Sequence, residues 1–196
     1  MGNDADSKRE AILEAAFAQF SRYGFRRTSM QDIAKEAGTS RASLYSYFEN
    51  KEEIFRCLAA ELHERSLGDA ESHLKSAGSL GLDSRVEAAL IARLAPFQEV
   101  VTQSAHGSEI YDENNRLCGD LVLDSSERFR RMLASALSAG ARVGEIDLKA
   151  AGLTASAAAE LIHLGARGLK QGASDVAVFE ERVRGFVRIF FAGLRG

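Results

Sequence analysis

Apolar side chains near the N-terminus recur at the spacing of one face of an α-helix. Ser7 followed by Glu10 is the sequence pattern of a capping box, in which two side chains satisfy backbone N–H groups at a helix start. Gly24 then supplies a residue that readily adopts the left-handed conformation found at helix ends. We therefore predict a helix over residues 8–23. Its buried face would contain Ile12, Leu13, Ala16, Phe17 and Phe20.

A second helix is predicted after a short polar break. Thr28 with Gln31 has the spacing of another capping box, and Gly38 can end the helix that follows. The predicted second helix covers residues 29–37. Its inward side chains would be Ile33, Ala34 and Ala37.

Two more helix starts follow within fifteen residues. Thr39 or Ser40 would cap a short third helix that ends near Phe48. Asn50 with Glu53 would cap a fourth, which runs on into the seventies. Its apolar face would contain Ile54, Phe55, Leu58 and Leu62.

The spacing of the second and third helices is typical of a helix-turn-helix unit. Ala34 is small where a second helix must cross closely, Gly38 lies where the turn needs a positive φ, and Leu44 can pack back. A helix pair joined by a three- or four-residue turn with glycine is a DNA-reading motif. An ordinary helical hairpin has the same spacing, so spacing alone leaves both interpretations open.

The rest of the chain also favours helices. Residues 57–196 predict about five or six of them, with a break near residues 77–83 and an uneven stretch over residues 97–114. Pro96 is expected to interrupt one helix because proline lacks the N–H that a helix interior uses. The clearest predicted helices are residues 83–96, 115–140, 154–171 and 175–194.

The last predicted helix is more apolar than a helix with one buried face requires. This predicts a dimer interface, and a deeply buried core helix is the alternative. The preceding helix is rich in Ala, Leu and Gly, so another helix could approach it closely. The apolar stripe consists of Phe179, Val183, Phe186, Val187, Phe190 and Leu194, widened by Ile189 and Phe191.

Composition agrees with an all-α protein. The chain has 196 residues, a single proline and no tryptophan, and Ala, Leu, Glu and Arg are plentiful. Its two cysteines are too few for a disulfide framework. The chain contains no apolar run of about 18 residues, and its acidic N-terminus lacks the apolar core of a signal peptide. We expect a cytoplasmic protein with no membrane partner.

Charge is distributed unevenly along the chain. The net charge is −3, yet residues 22–51 hold six basic against three acidic side chains. Lys51 lies in the first turn of the predicted fourth helix, where the helix dipole disfavours a cation by about 0.3–1 kcal/mol. A phosphate is a reasonable outside partner for it, and the hydroxyls of Tyr45 and Tyr47 also suit phosphate. A solvated lysine and two partly buried tyrosines are the alternative.

Residues 28–55 resemble the DNA-binding signature of the tetracycline-repressor (TetR/AcrR) family, and the similarity extends over about residues 7–56. The most specific segment is LYSYFENKEE, residues 44–53, which is similar to the family's usual LYYHFxNKEEL. Ser46 and Tyr47 depart from the commoner Tyr-His. The resemblance implies a three-helix DNA-binding domain over residues 1–56 and a larger helical domain for ligand binding and dimerisation over residues 57–196.

The resemblance also implies which residues contact DNA. Residues 39–47 would form the recognition helix in the major groove. Arg41 is the best candidate to read a base, because guanidinium can bind guanine O6 and N7 together, and Ala42 could contact a thymine methyl. The complete implied set is Thr28, Thr39, Arg41, Ala42, Ser43, Tyr45, Tyr47 and Lys51.

Candidate ligand and catalytic residues are fewer. Glu160 and His163 have the spacing of a carboxylate-bundle metal site, but the sequence has no second such pair, so we expect no metal, no cofactor and no catalytic residues. A ligand pocket in the larger domain is implied by the resemblance alone. Polar or aromatic candidates to line it are Phe97, His106, Tyr111, Cys118, His163 and Arg167.

These observations favour a ligand-responsive transcriptional regulator, a repressor that binds a palindromic operator in double-stranded DNA as a homodimer and is released by a small-molecule effector. An activator of the same fold is one alternative. A helical ligand-binding protein without DNA binding is another, and an enzyme is a third that no acid–base constellation supports. An operator-binding assay distinguishes the regulator from the ligand-binding protein.

Overall fold

The computed structural model describes residues 2–76 and 80–195. Within those ranges the chain forms nine α-helices and no strand, which confirms the predicted all-α class. The helices are α1 (Gly2–Tyr23), α2 (Met30–Glu36), α3 (Arg41–Tyr45), α4 (Lys51–Lys75), α5 (Leu82–Gln103), α6 (Gly107–Leu117), α7 (Gly119–Arg142), α8 (Ala155–Gly168) and α9 (Val176–Ala192). None of the helices described is long and apolar enough to cross a membrane.

The chain divides into two compact units. The first contains the chain up to His63 together with Val100–Val122, and the second contains Glu64–Glu99 and the chain from Leu123 onwards. The predicted functional division after residue 56 stays a prediction. The first unit holds α1 to α3 and α6, and α4 contributes residues to both units.

An aromatic cluster forms the centre of the first unit. The ring centroids of Phe20 and Phe25 are 5.2 Å apart, and Phe55 lies 5.9 Å from Phe20 and 5.2 Å from Phe25. Tilted and edge-on contacts of this kind are favourable beyond their buried area. The cluster joins α1, the segment that follows it and the first turns of α4. It belongs to the same apolar core as the buried side chains of α2 and α3.

The core of the second unit comes from α5, α7, α8, α9 and the second half of α4. Phe129, Leu133 and Leu137 lie one helical turn apart on α7 and are fully buried. The buried face of α9 consists of Phe179, Val183, Val187 and Phe191.

Two predicted helix starts are wrong. Helix α1 begins at Gly2, so Ser7 lies inside it rather than at its cap. Ser29 and not Thr28 caps α2, because the Thr28 hydroxyl is buried and donates to the Gly24 carbonyl oxygen at 2.8 Å. Of the two residues predicted to cap α3, Ser40 is the one found, and the predicted cap of α4 at Asn50 is confirmed; both side-chain oxygens accept from backbone N–H groups.

The predicted interruption at Pro96 is also wrong. Helix α5 runs through Pro96 to Gln103, with Leu94 buried before the proline and Gln98 buried after it. A proline removes one backbone donor from a helix, and tertiary packing on both sides can hold the helix together despite that loss. The predicted helix over residues 115–140 is confirmed as α7, except that α7 begins at Gly119 and residues 115–117 belong to the end of α6.

Candidate functional site

The pair α2 and α3 has the geometry of a helix-turn-helix unit. The Ser29 side chain accepts from the Asp32 N–H at 3.2 Å, and Asp32 accepts from the Ser29 N–H at 2.9 Å, so α2 starts with a complete capping box. Gly38 has a φ of 61°, as the predicted turn requires. Ala34 and Leu44 are fully buried, so the two helices pack closely against the core.

One face of α3 is open to solvent. Arg41 and Ala42 are exposed and Ser43 is half-buried. The Arg41 guanidinium lies 5.5 Å from the centroid of the Tyr45 ring, and its Nη2 donates to the Tyr45 hydroxyl at 3.4 Å. This contact presents the arginine beside an exposed tyrosine, and both side chains can reach a polar partner outside the chain.

The other predicted DNA contacts differ in accessibility. Thr28 is buried with its hydroxyl used inside the chain, whereas Thr39 and Tyr47 are half-buried. Tyr47 packs against the apolar core of the first unit. Thr39, Arg41, Ala42, Ser43 and Tyr45 are therefore at least partly accessible, and Thr28 is buried.

Lys51 is engaged within the protein. Its ammonium donates to the carbonyl oxygens of Phe25 at 2.8 Å, Arg26 at 3.3 Å and Thr28 at 3.0 Å. It also lies 4.5 Å from the centroid of the Phe25 ring. The carbonyl oxygens offset the unfavourable field of the helix N-terminus, and they tie α4 to the segment that leads into α2.

Helix α6 supports the same segment, which the sequence did not predict. The Arg26 N–H donates to Glu109 Oε1 at 2.7 Å, and Arg26 Nε donates to Glu113 Oε1 at 3.1 Å. Glu113 is buried and also pairs with Arg116, and both arginines keep the pKa of its carboxyl below the ordinary value despite burial. The contacting residues are more than eighty positions apart in the chain, so no local pattern in the sequence indicates these contacts.

Three of the predicted ligand residues belong to the first unit. His106 precedes α6, with Nδ1 3.7 Å from a Glu109 carboxylate oxygen. Tyr111 is exposed. Cys118 is fully buried, and burial raises the pKa of its thiol to about 11.

The other three belong to the second unit. His163 is 4% exposed, and its ring centroid lies 5.9 Å from that of Phe129. Burial, and then the positive charge of Arg167, lowers the pKa of His163 to about 4. Two cations contact the Phe97 ring: the Arg93 guanidinium is 5.1 Å and the Lys170 ammonium 5.3 Å from its centroid.

A surface cavity elsewhere in the second unit contains none of the predicted ligand residues. Its volume is about 880 Å³, and it is lined by the segment between α7 and α8 together with Leu194 and Arg195. The pocket assignment drawn from the resemblance therefore stays a prediction.

Helices α8 and α9 pack closely and also present apolar side chains to solvent. A Cβ atom built on Gly165 would lie 2.6 Å from the Phe186 ring, so the glycine permits the close approach that the sequence predicted. Leu164 on α8 and Ile189 on α9 are 55% and 74% exposed. Phe186 itself packs within the protomer.

Comparison with known proteins identifies a family. A sequence profile of the bacterial regulatory proteins of the tetR family matches residues 12–58. TtgR, an HTH-type transcriptional regulator of Pseudomonas putida, is 30% identical over 156 residues, which span 76% of this chain and 74% of TtgR.

Solved structures share the fold. SmeT, the repressor of the Stenotrophomonas maltophilia multidrug efflux pump SmeDEF, aligns with a TM-score of 0.68 at 20% identity, covering 92% of this chain and 88% of SmeT. A SmeT–triclosan complex aligns with a TM-score of 0.68 at 19% identity, covering 97% of this chain and 92% of that one. With the profile match and the extent of similarity to TtgR, the chain belongs to the tetR family of bacterial regulatory proteins and is a helix-turn-helix DNA-binding transcriptional regulator.

Proposed function

We propose that this protein is a cytoplasmic repressor that binds a palindromic operator as a homodimer and leaves it when a small organic molecule binds its second unit. The exposed face of α3, with Arg41 in its first turn, carries the DNA-binding part of the proposal. SmeT is a repressor and also forms a complex with triclosan, which supports repression relieved by a small molecule.

Arg41 is proposed as the base-reading residue. It is exposed at the start of α3, and its only described side-chain contacts are with Tyr45 on the same helix. Because the guanidinium has so few contacts within the protein, it can enter the major groove and donate two parallel hydrogen bonds to guanine. Ala42 and Ser43 complete the base-facing turn, and Thr39 and Tyr45 flank it for phosphate contacts.

Thr28, Tyr47 and Lys51 are proposed to support this surface from behind. The buried Thr28 hydroxyl and the Lys51 ammonium together hold the backbone from Gly24 to Thr28, which sets the position where α2 begins. To contact a phosphate, Lys51 would have to give up some of its hydrogen bonds to the carbonyl oxygens of this backbone. We therefore propose that Lys51 chiefly positions the segment before α2.

Removing the Arg41 guanidinium should reduce sequence discrimination. An operator is first selected by the purified protein from random duplex DNA, and affinities are then measured by fluorescence anisotropy at fixed salt. We expect Arg41→Ala to bind the selected operator about 10–100-fold more weakly, equivalent to ~1–3 kcal/mol, while its affinity for random duplex changes little.

Lys149→Ala, which removes an exposed lysine from the second unit, is the matched control and should bind operator as the parent does. Equal affinity of the parent for operator and random DNA would contradict the proposed function. Parental discrimination by Arg41→Ala would show that another residue reads the bases.

The proposed dimer interface is the exposed apolar surface of α8 and α9. Ile189→Glu or Leu164→Glu would bury an unpaired charge in it, which is costly. By sedimentation velocity the parent should have twice the 21.2 kDa chain mass, and each variant should dissociate at least about tenfold more readily, or ~1.4 kcal/mol.

Leu123→Glu is the matched control, because Leu123 on α7 is as exposed as Ile189 and lies outside the two helices. Circular dichroism checks that each variant is folded. A parent that stays monomeric at micromolar concentration, or an Ile189→Glu protein as dimeric as Leu123→Glu, would exclude this interface.

A further inference from the structure

A group of basic side chains lies in the second unit, where α5, α7 and α8 meet; Arg93 and His163 are buried, Lys170 is half-buried and Arg167 is exposed. We call Arg93, His163, Arg167 and Lys170 the cationic cluster. Arg93 and His163 are each only 4% exposed. Arg93 and Lys170 lie within 5.3 Å of the centroid of the same Phe97 ring, although α5 and the end of α8 are distant in sequence.

The cations of this cluster, Arg93, Arg167 and Lys170, repel one another. Burial lowers the pKa of Lys170 to about 7, and the charges of Arg93 and Arg167 act in the same direction. Burial, followed by the charges of Arg167 and Arg128, likewise lowers the pKa of Arg93 to about 10. Concentrating positive charge in a poorly solvated region is unfavourable unless a negative charge compensates it.

The carboxylate that acts on Arg93 is bound mainly to another residue. Glu64 on α4 raises the pKa of Arg93, but this is the smallest of the effects that act on the Arg93 pKa. Both Glu64 carboxylate oxygens accept from the Arg128 guanidinium, one of them at 2.9 Å. Glu64 and Arg128 together add no net charge, so the cluster keeps its positive potential.

His163 supplies an independent observation. Among the described residues neither of its ring nitrogens has a hydrogen-bond partner, although the side chain is almost completely buried. More than about nine in ten buried polar groups have a partner, so an unpaired imidazole inside a core calls for an explanation. Its neighbours are the Phe129 ring and the cations of the cluster, together with Arg130 on α7.

A purely structural role explains only part of this arrangement. Arg93 donates to the Ser66 hydroxyl at 3.0 Å and to the Ser125 hydroxyl at 3.0 Å, so it can join α5 to α4 and α7. That role requires neither a second cation at the half-buried Lys170 nor an unpaired imidazole on α8. A ligand with a negative charge would compensate the cations and accept a hydrogen bond from His163.

We propose that the cationic cluster is the recognition site for an anionic effector, a small organic molecule with a carboxylate and an apolar body. The carboxylate would lie between Lys170 and His163, and the apolar body would contact Phe97 and Phe129. The aromatic surroundings favour an organic carboxylate over a hydrated inorganic anion. This inference rests on the proposed function, because it names the chemical class of the molecule that releases the repressor.

A carboxylate and the amide of the same apolar body differ chiefly in the charge of the head group. Comparing the two shows whether binding depends on the negative charge. The probes are benzoate against benzamide and hexanoate against hexanamide, each at about 10 mM and with ionic strength equalised by sodium chloride. We expect at least one carboxylate to raise the melting temperature of the parent by on the order of 2–4 °C more than its amide. Lys170→Met should lose this difference, and Lys149→Met should keep it.

Lys170→Met removes a half-buried cation and should melt no lower than the parent. Circular dichroism checks that the variant is folded. Lys170→Gln provides a second polar variant with the same expected loss. The inference is overturned if neither carboxylate stabilises the parent more than its amide, or if Lys170→Met and Lys170→Gln respond as the parent does.

Operator affinity measured with and without the stabilising carboxylate completes the test. We expect the carboxylate to weaken operator binding by about 5–150-fold in the parent and not in Lys170→Met. Stabilisation without any effect on operator binding would refute the effector role. A parent that binds no operator under any condition would instead refute the proposed function, and the two failures are therefore distinguishable.

Discussion

Replacing Gly107 with alanine is expected to lower the free energy of unfolding by more than about 3 kcal/mol. Gly107 is the buried first residue of α6, and a Cβ atom there would lie 1.8 Å from the carbonyl oxygen and 2.6 Å from the carbonyl carbon of Val101. Both atoms belong to the backbone, so no side-chain rotation can relieve the overlap. Urea unfolding followed by far-UV circular dichroism measures the loss.

Gly119→Ala is the matched control. Gly119 is also the first residue of a helix, but a Cβ atom there would have no neighbour within 4 Å. Alanine favours helices more than glycine does, so this variant should be neutral or more stable by up to about 1 kcal/mol. Equal unfolding curves for the two variants would show that α6 and the end of α5 do not approach this closely. Because α6 carries Glu109 and Glu113, Gly107→Ala should also weaken the support of the segment before α2.

Acidification should destabilise the protein through His163. Its pKa is about 4 in the folded chain, chiefly because of burial, and about 6.5 when unfolded. Between these values the unfolded chain binds a proton that the folded chain does not, so the free energy of unfolding falls as the pH falls from 6.5 to 4. The loss from this group should approach about 3 kcal/mol. The positive charges of Arg167, Arg93, Arg130 and Lys170 act in the same direction as burial and oppose protonation of the imidazole.

His163→Leu isolates that contribution, since the variant keeps the other titrating groups. Urea unfolding at a series of pH values should show the parent losing about 3 kcal/mol more than the variant over this interval. His73→Leu removes an exposed histidine from α4 and should follow the parent curve. Parallel curves for the parent and His163→Leu would mean that the imidazole is solvated and readily protonated.

Features set by neighbouring residues could be predicted from the sequence. The positive φ at Gly24 and Gly38, the start of α3 at Ser40 and the start of α4 at Asn50 each depend on local backbone chemistry. The exposure of the Arg41 side chain could also be predicted, because Arg41 is at the start of a short helix that follows a turn. These local signals, together with the family resemblance, led to the proposed DNA-binding surface.

Features that depend on distant contacts could not be predicted. The dipole argument predicted a partner outside the chain for Lys51, whereas the partners found are carbonyl oxygens of the chain itself, those of Phe25, Arg26 and Thr28, more than twenty residues away. Local propensity likewise predicted a break at Pro96, where tertiary packing maintains α5. His163 and Arg167 were selected individually, and only the structure places them with Arg93 and Lys170.

Burial should make the Cys118 thiol unreactive. With a pKa of about 11, only on the order of one thiol in ten thousand is a thiolate at neutral pH, and the thiolate is the form that reacts with electrophiles and oxidants. Cys57, the other cysteine, is half-buried. A maleimide or peroxide should therefore modify Cys57 first, so the native chain can carry one fluorophore near the start of α4 without the removal of a cysteine.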